Sequence, residues 1–240
     1  MRSTNYKYYI MGLFGFLKKQ PDKPDEPNQP DLPDRPYRDD GINLIYNLLF
    51  CDDVKLYKAN SKLPLSYPFD ILFSGTATVA ELAAISGDGS ADPRVRVLAY
   101  NLQRAKGQTP ENKELLAVIV EVGLQGGLDV LASFRNGTAR YINQTGKLLV
   151  WETTTDDKAN ELTHELFARS QQIVYQIGPW DQARRPHPAN GNTRITFLVS
   201  DGLYFGEASS EVLFNDPMAA PALMCATQLM QYLTAKGMKK

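Results

Sequence analysis

Apolar and polar positions change period along this chain, and the changes mark out its elements. In "ADPRVRVLAYNLQRAKG", Val95, Leu98, Leu102 and Ala105 recur at three- and four-residue steps, the spacing of one buried helical stripe. Asp92 precedes the stripe as an N-cap acceptor, Pro93 takes the first helical position, and Gly107 ends the helix. "NDPMAAPALMCATQLMQYLTAKG" repeats the device with Asp216, Pro217 and Gly237. Its apolar residues (Leu223, Met224, Ala226, Leu229, Met230, Leu233) lie almost all round, so this helix belongs at the centre of the core or in a contact between subunits. "TTTDDKANELTHELFARSQQIVYQIG" predicts a third helix, with Leu162, Leu166, Arg169, Ile173 and Ile177 facing inward. "INLIYNLLF" and "TVAELAAIS" read as shorter helices.

The middle of the chain follows a different period. "LLAVIVEVGL" is rich in β-branched residues, and "GLDVLASFRNGTARYINQTGKLLVWE" breaks at Asn136-Gly137 and again at Gln144 to Gly146. Asn136-Gly137 predicts a type I′ turn, with positive φ at both positions. "TRITFLVSDGLYFGEAS" is a further hairpin turning on Asp201-Gly202. The order is helices, about four antiparallel strands, a long helix, two strands and a closing helix. Successive hairpins without strand–helix alternation predict an α+β fold, an antiparallel β-meander flanked by helices.

Composition changes the picture most at the N-terminus. Pro21, Pro24, Pro27, Pro30, Pro33 and Pro36 keep a period of three, which is one turn of polyproline II. Asp22, Asp25, Asn28, Asp31 and Asp34 line a second edge of the same rod. At about 3.1 Å per residue, the sixteen residues would reach roughly 50 Å. Residues 20–40 therefore read as a disordered or polyproline-II spacer, a proline-rich linker between an apolar, basic tip at 1–19 and a single globular domain at 41–240. Within the tip, Leu13, Phe14, Phe16 and Leu17 beside Lys18 and Lys19 are too short a run to span a bilayer. They suit at most a weak peripheral membrane contact.

Of 240 residues 43% are hydrophobic and 22% charged, with 26 basic and 27 acidic side chains, so the chain lacks the basic excess that nucleic-acid binding requires. Cys51 and Cys225 sit in apolar surroundings and read as buried free thiols of a cytoplasmic protein. Phosphate-binding glycine loops, nucleophile elbows and zinc spacings are absent from the sequence, and no cofactor is expected. "GDGSAD" reads as a helix-capping loop, and Asn136-Gly137-Thr138 and Asn143-Gln144-Thr145 as turn chemistry. His164 falls with Lys158, Glu161 and Glu165 on the outer face of its helix.

One segment concentrates candidate chemistry. "GPWDQARRPHPANGN", residues 178–192, is long for a connection inside a compact domain. Trp180, Asp181, Arg184, Arg185 and His187 stand between prolines that limit the entropy lost on ordering. Trp and Arg are the usual binding hot spots, and adjacent arginines grip carboxylates or phosphates. Tyr204 and Glu207 of the following hairpin join them as neighbours. These residues support two readings: a non-enzymatic protein-binding or assembly module on a tether, or a small-anion sensor or enzyme built on the loop. A homo-oligomer through the 217–236 helix belongs to the first reading.

"KELLAVIVEVGLQGGLDVLASFRNGTARYINQTGKLLVWE", "IGPWD" and "FLVSDGLYFGE" resemble a family of uncharacterised bacterial proteins over residues 41–235. The resemblance implies a bacterial, cytoplasmic protein and supplies no activity, cofactor or catalytic residue.

Overall fold

A computed structural model describes residues 32–110 and 112–237. The apolar tip, with Leu13, Phe14, Phe16 and Leu17, and the spacer up to Asp31 lie outside the described residues. Five helices come first: α1 (Asp40–Leu48), α2 (Val54–Ala59), α3 (Phe69–Leu72), α4 (Val79–Gly87) and α5 (Pro93–Ala105). Strands β1 (Leu115–Leu124), β2 (Gly127–Phe134), β3 (Ala139–Ile142) and β4 (Leu148–Trp151) follow. Then come α6 (Asp157–Gln176), β5 (Asn192–Val199), β6 (Gly202–Ser209), α7 (Ser210–Asn215) and α8 (Ala219–Gly237). The strands form one antiparallel sheet in the order β4-β3-β2-β1-β5-β6. The fold is α+β, as the run of hairpins requires.

Both faces of the sheet are covered, which explains why β1 is apolar on both sides instead of alternating. Helices α1–α5 bury Ile45, Leu82, Ile85 and Leu98 against Ile119, Val130 and Phe134. On the other face, Leu166 and Val174 of α6 and Leu223, Ala226, Leu229 and Leu233 of α8 cover Val118, Leu131 and Phe197. Arg169 does not join that inner stripe: it is exposed and pairs with Glu165 at 2.7 Å, leaving Ser170 buried in its place. A guanidinium finds its counter-charge one turn away more cheaply than in an apolar layer.

The helix starts follow their caps. Asp92 accepts from the Arg94 N–H, Pro93 stands at the first position, and Thr78 with Glu81 forms a capping box on α4. Asp216 caps α8 through the Met218 and Ala219 N–H groups, and the short α7 intervenes before it. The Asn136-Gly137 turn departs from type I′. Only Gly137 has positive φ, 85°, and its N–H donates to the Phe134 carbonyl at 2.9 Å. That is a type I turn closed by a left-handed glycine, which the longer loop accommodates. Asn136 Oδ1 accepts from the Thr138 N–H and hydroxyl, and Asn143 treats Thr145 the same way, so both Asn-x-Thr triplets serve as turns.

The end of the compositional spacer is part of the packed domain. Asp34 and Tyr37 are buried. The Asn43 side chain bonds both the N–H and the carbonyl of Tyr37, at 2.9 and 2.8 Å, and the Tyr37 hydroxyl donates to the Leu128 carbonyl. Proline and aspartate content marked this stretch as extended, but these contacts depend on α1 and β2.

Candidate functional site

Register aligns a row of charge across the sheet. Glu121 of β1 lies opposite Arg194 of β5, which lies opposite Glu207 of β6, all on the face covered by α1–α5. Glu121 has no exposed surface and Arg194 only 3%. Arg194 holds Glu207 through Nε and Nη2 at 2.9 and 2.7 Å, and its Nη1 lies 3.7 Å from Glu121 Oε2. The Tyr46 hydroxyl of α1 donates to Glu121 Oε1 at 2.7 Å. Burial raises the Glu121 carboxyl above the ordinary range, while Arg194 and Tyr46 pull it back down.

Residues 178–192 close over this row. Arg194 also donates to the Arg185 and Pro186 carbonyls, at 3.1 and 2.6 Å. Arg184 reaches back to Asp52 at 2.7 Å and to Asn47 at 3.0 Å, with its guanidinium 3.9 Å from the centre of the Phe50 ring. Its charged form is favoured despite burial because Asp52 compensates. His187 Nδ1 meets Asp34 at 2.7 Å, and the His187 N–H donates to the same carboxylate. That bond raises the His187 pKa above its ordinary value near 6.5, while burial opposes the rise. Burial would raise Asp34, yet the bonds from His187 hold it below the usual carboxylate value. Gly123 makes the closure possible, since a Cβ there would stand 2.1 Å from the Ala189 carbonyl oxygen.

Trp180 pairs with the β6 edge, its N–H on the Leu203 carbonyl at 2.7 Å and its ring edge-on to Phe205 at 5.2 Å. Arg185 stacks on both rings, 4.9 Å from Trp180 and 5.4 Å from Phe205. Asp181 is exposed. Tyr204 does not join the charge row: it packs on the opposite face of the sheet, where its hydroxyl donates to Asp201. Arg184, Arg185 and His187 therefore do not converge on a pocket. Each engages a different internal partner, and together they act as a clasp binding the spacer end, α1 and the β5–β6 hairpin. Neither Glu121 nor Arg194 was among the residues the sequence singled out. Their signal was there: one charged residue at an inward position in each of two adjacent apolar strands.

A second surface lies at the other end of the chain. Helix α7 has no buried residue, although Val212, Leu213 and Phe214 make up half of it. Val212 is 59% exposed, Phe214 39%, Met218 45% and Met224 56%. Along α8 the outward positions continue with Gln228 and Gln231, and no charge interrupts them before Lys236. This face departs from an ordinary solvated helix surface, which carries charge at most outward positions.

Buried charge also gathers under α5, where Arg94 is bidentate to Asp92 and lies over Phe134 at 5.2 Å. Close by, Arg140 is fully buried and pairs with Glu152. Burial, together with repulsion from Arg94, lowers the Arg140 pKa to about 10. Cys51 and Cys225 are free and buried, and burial pushes the Cys51 thiol up to about 12. Such a thiol is un-ionised near neutrality and a poor nucleophile. Among the described residues no helix is long and apolar enough to cross a membrane, and no group of three or more His, Cys, Asp or Glu side chains could hold a metal ion.

No protein-family model matches the chain, and no curated protein matches it.

Proposed function

We propose that this protein is a non-enzymatic assembly module that docks against a second copy of itself through α7 and the outward face of α8. The observation that carries this reading is the exposure of four large apolar side chains, Val212, Phe214, Met218 and Met224, along α7, the turn after it and the start of α8. Methionine and aromatic surfaces of this kind release ordered water on docking and adapt to the opposing shape. The 19 residues of α8 span about 28 Å, enough to form one long side of an interface.

Charge favours a second copy as the occupant. Exposed Glu211 stands at the α7 end of this surface, and Lys236, which also lies 3.4 Å from Asp156, stands at the C-terminal end of α8. Antiparallel pairing about a two-fold axis sets Glu211 of each copy against Lys236 of the other and brings the exposed apolar side chains together between them. The loop that first suggested an anion site supports this reading as scaffold, because its basic groups are spent on Asp34, Asp52 and aromatic rings. The proline-rich segment then serves as tether, leaving the domain where His187 fixes Asp34.

Hydrogen exchange at two protein concentrations tests the proposal. Amides of α7 and the first two turns of α8 gain protection as concentration rises. Equal exchange there at both concentrations overturns it.

A further inference from the structure

A cleft on the side of α6 belongs to neither the clasp nor the α7–α8 surface. Its volume is about 590 Å³, within the range of small-molecule sites. Asn160, His164 and Ala168 recur at four-residue steps beside Thr163, Phe167 and Gln171, so the six form a single stripe of α6. The turn at Arg135, Asn136 and Gly137 makes the opposite wall. That wall is fixed: the Arg135 N–H and Nη1 donate to the Leu116 and Leu115 carbonyls, each at 3.0 Å. A Cβ on Gly137 would meet Asn160 Oδ1 at 2.9 Å, so turn and helix are in close contact.

The lining is unbalanced in its hydrogen-bonding character. Gln171 carries a buried Nε2 with no hydrogen-bond partner. Arg135 adds a half-exposed guanidinium with one carbonyl partner, and His164 adds an exposed imidazole. Glu114 lies 3.8 Å from Arg135, but its two oxygens are taken at 2.9 and 2.6 Å by Arg96. The residues lining the cleft include no carboxylate, and Phe167 with Ala168 gives it an apolar side.

We infer that this cleft binds a small amphipathic organic carboxylate, with its anionic end between Arg135 and His164 and its apolar body along Phe167 and Ala168. Arg–carboxylate bonding supplies the specificity. The outward placement of His164 among Lys158, Glu161 and Glu165 read as plain solvated surface, because the wall facing it comes from a hairpin about thirty residues earlier.

Titration of isotope-labelled full-length protein with octanoate, followed by NMR, tests the inference. Octanoate produces saturable shifts of the Asn160 side-chain amide and the His164 ring, with a Kd near or below about 1 mM. Octanol, which keeps the chain and lacks the charge, binds at least about tenfold more weakly, and Arg135→Gln weakens octanoate by a similar factor. Because Arg135 is half exposed, that variant is expected to keep the wild-type amide spectrum; should it not, His164→Leu serves, removing the exposed imidazole while keeping a similar volume. Absence of saturation up to roughly 10 mM octanoate overturns the inference. So does octanol binding as tightly, or undiminished octanoate affinity in the folded variants.

Discussion

Arg194→Met is the most informative single change, because one side chain holds both the buried charge row and the loop above it. The substitution keeps the aliphatic stem and removes every donor to Glu207, to the Arg185 and Pro186 carbonyls and beside Glu121. Glu121, with no exposed surface, then keeps only the Tyr46 bond. Breaking a buried ion pair from one side costs about 3–5 kcal/mol, a large part of a domain's total stability. The sign of the pH dependence follows from Glu121. Its carboxyl is already raised by burial, and loss of Arg194 raises it further. A group that binds its proton more tightly when folded destabilises the fold as pH rises above its unfolded value, by about 1.4 kcal/mol per unit until it ionises. The deficit of Arg194→Met relative to wild type is therefore larger near pH 8 than near pH 5. Urea unfolding at both pH values measures it. The double variant Glu121→Leu/Arg194→Met completes the cycle and recovers more than about 1 kcal/mol of the single variant's loss. A pH-independent deficit, or costs that simply add in the double variant, would refute the reasoning.

The clasp makes two further predictions. His187→Ala removes a contribution that is complete below about pH 6.5, where the unfolded imidazole is also charged, and is lost as pH rises through the raised folded value. Asp34, held low, contributes above its ordinary value near 3.8 and loses its part as pH falls through the folded one, so the clasp is tightest between those limits. Because His187 is partly exposed, screening keeps the loss below about 1 kcal/mol, readable as a Tm difference of a few degrees near pH 5 that shrinks by pH 9. Gly123→Ala drives a Cβ into the Ala189 carbonyl and displaces the loop, at a cost of about 1–3 kcal/mol with weakened Trp180 packing, seen as altered tryptophan emission.

Much of the fold was legible because its signals are local. Asp92-Pro93 and Asp216-Pro217 mark helix starts through the unpaired N–H groups any helix leaves there, and the β-branched run of β1 needs no distant information. What escaped depends on pairing. Asp34 looked like one more acidic residue on a solvated rod until His187, from the far end of the chain, supplied its partner. Arg184 and Arg185 had the composition of an anion grip, yet Asp52 and the Trp180–Phe205 pair, each from a different element, had already engaged them. The exposure of α7 was unreadable because "EVLF" has the composition of a buried turn of helix. Only the placement of β6 and α8 shows that the described domain covers Leu213 and leaves Val212 and Phe214 exposed.

Sedimentation velocity of the full-length chain tests the central claim, assembly through the α7–α8 surface, most directly. Wild type sediments as a dimer at micromolar concentration, and Val212→Asp/Met218→Lys, at two exposed positions, sediments as a monomer with unchanged circular dichroism and Tm. A wild type that stays monomeric up to roughly 100 μM, or a folded double variant that dimerises as strongly as wild type, contradicts the account.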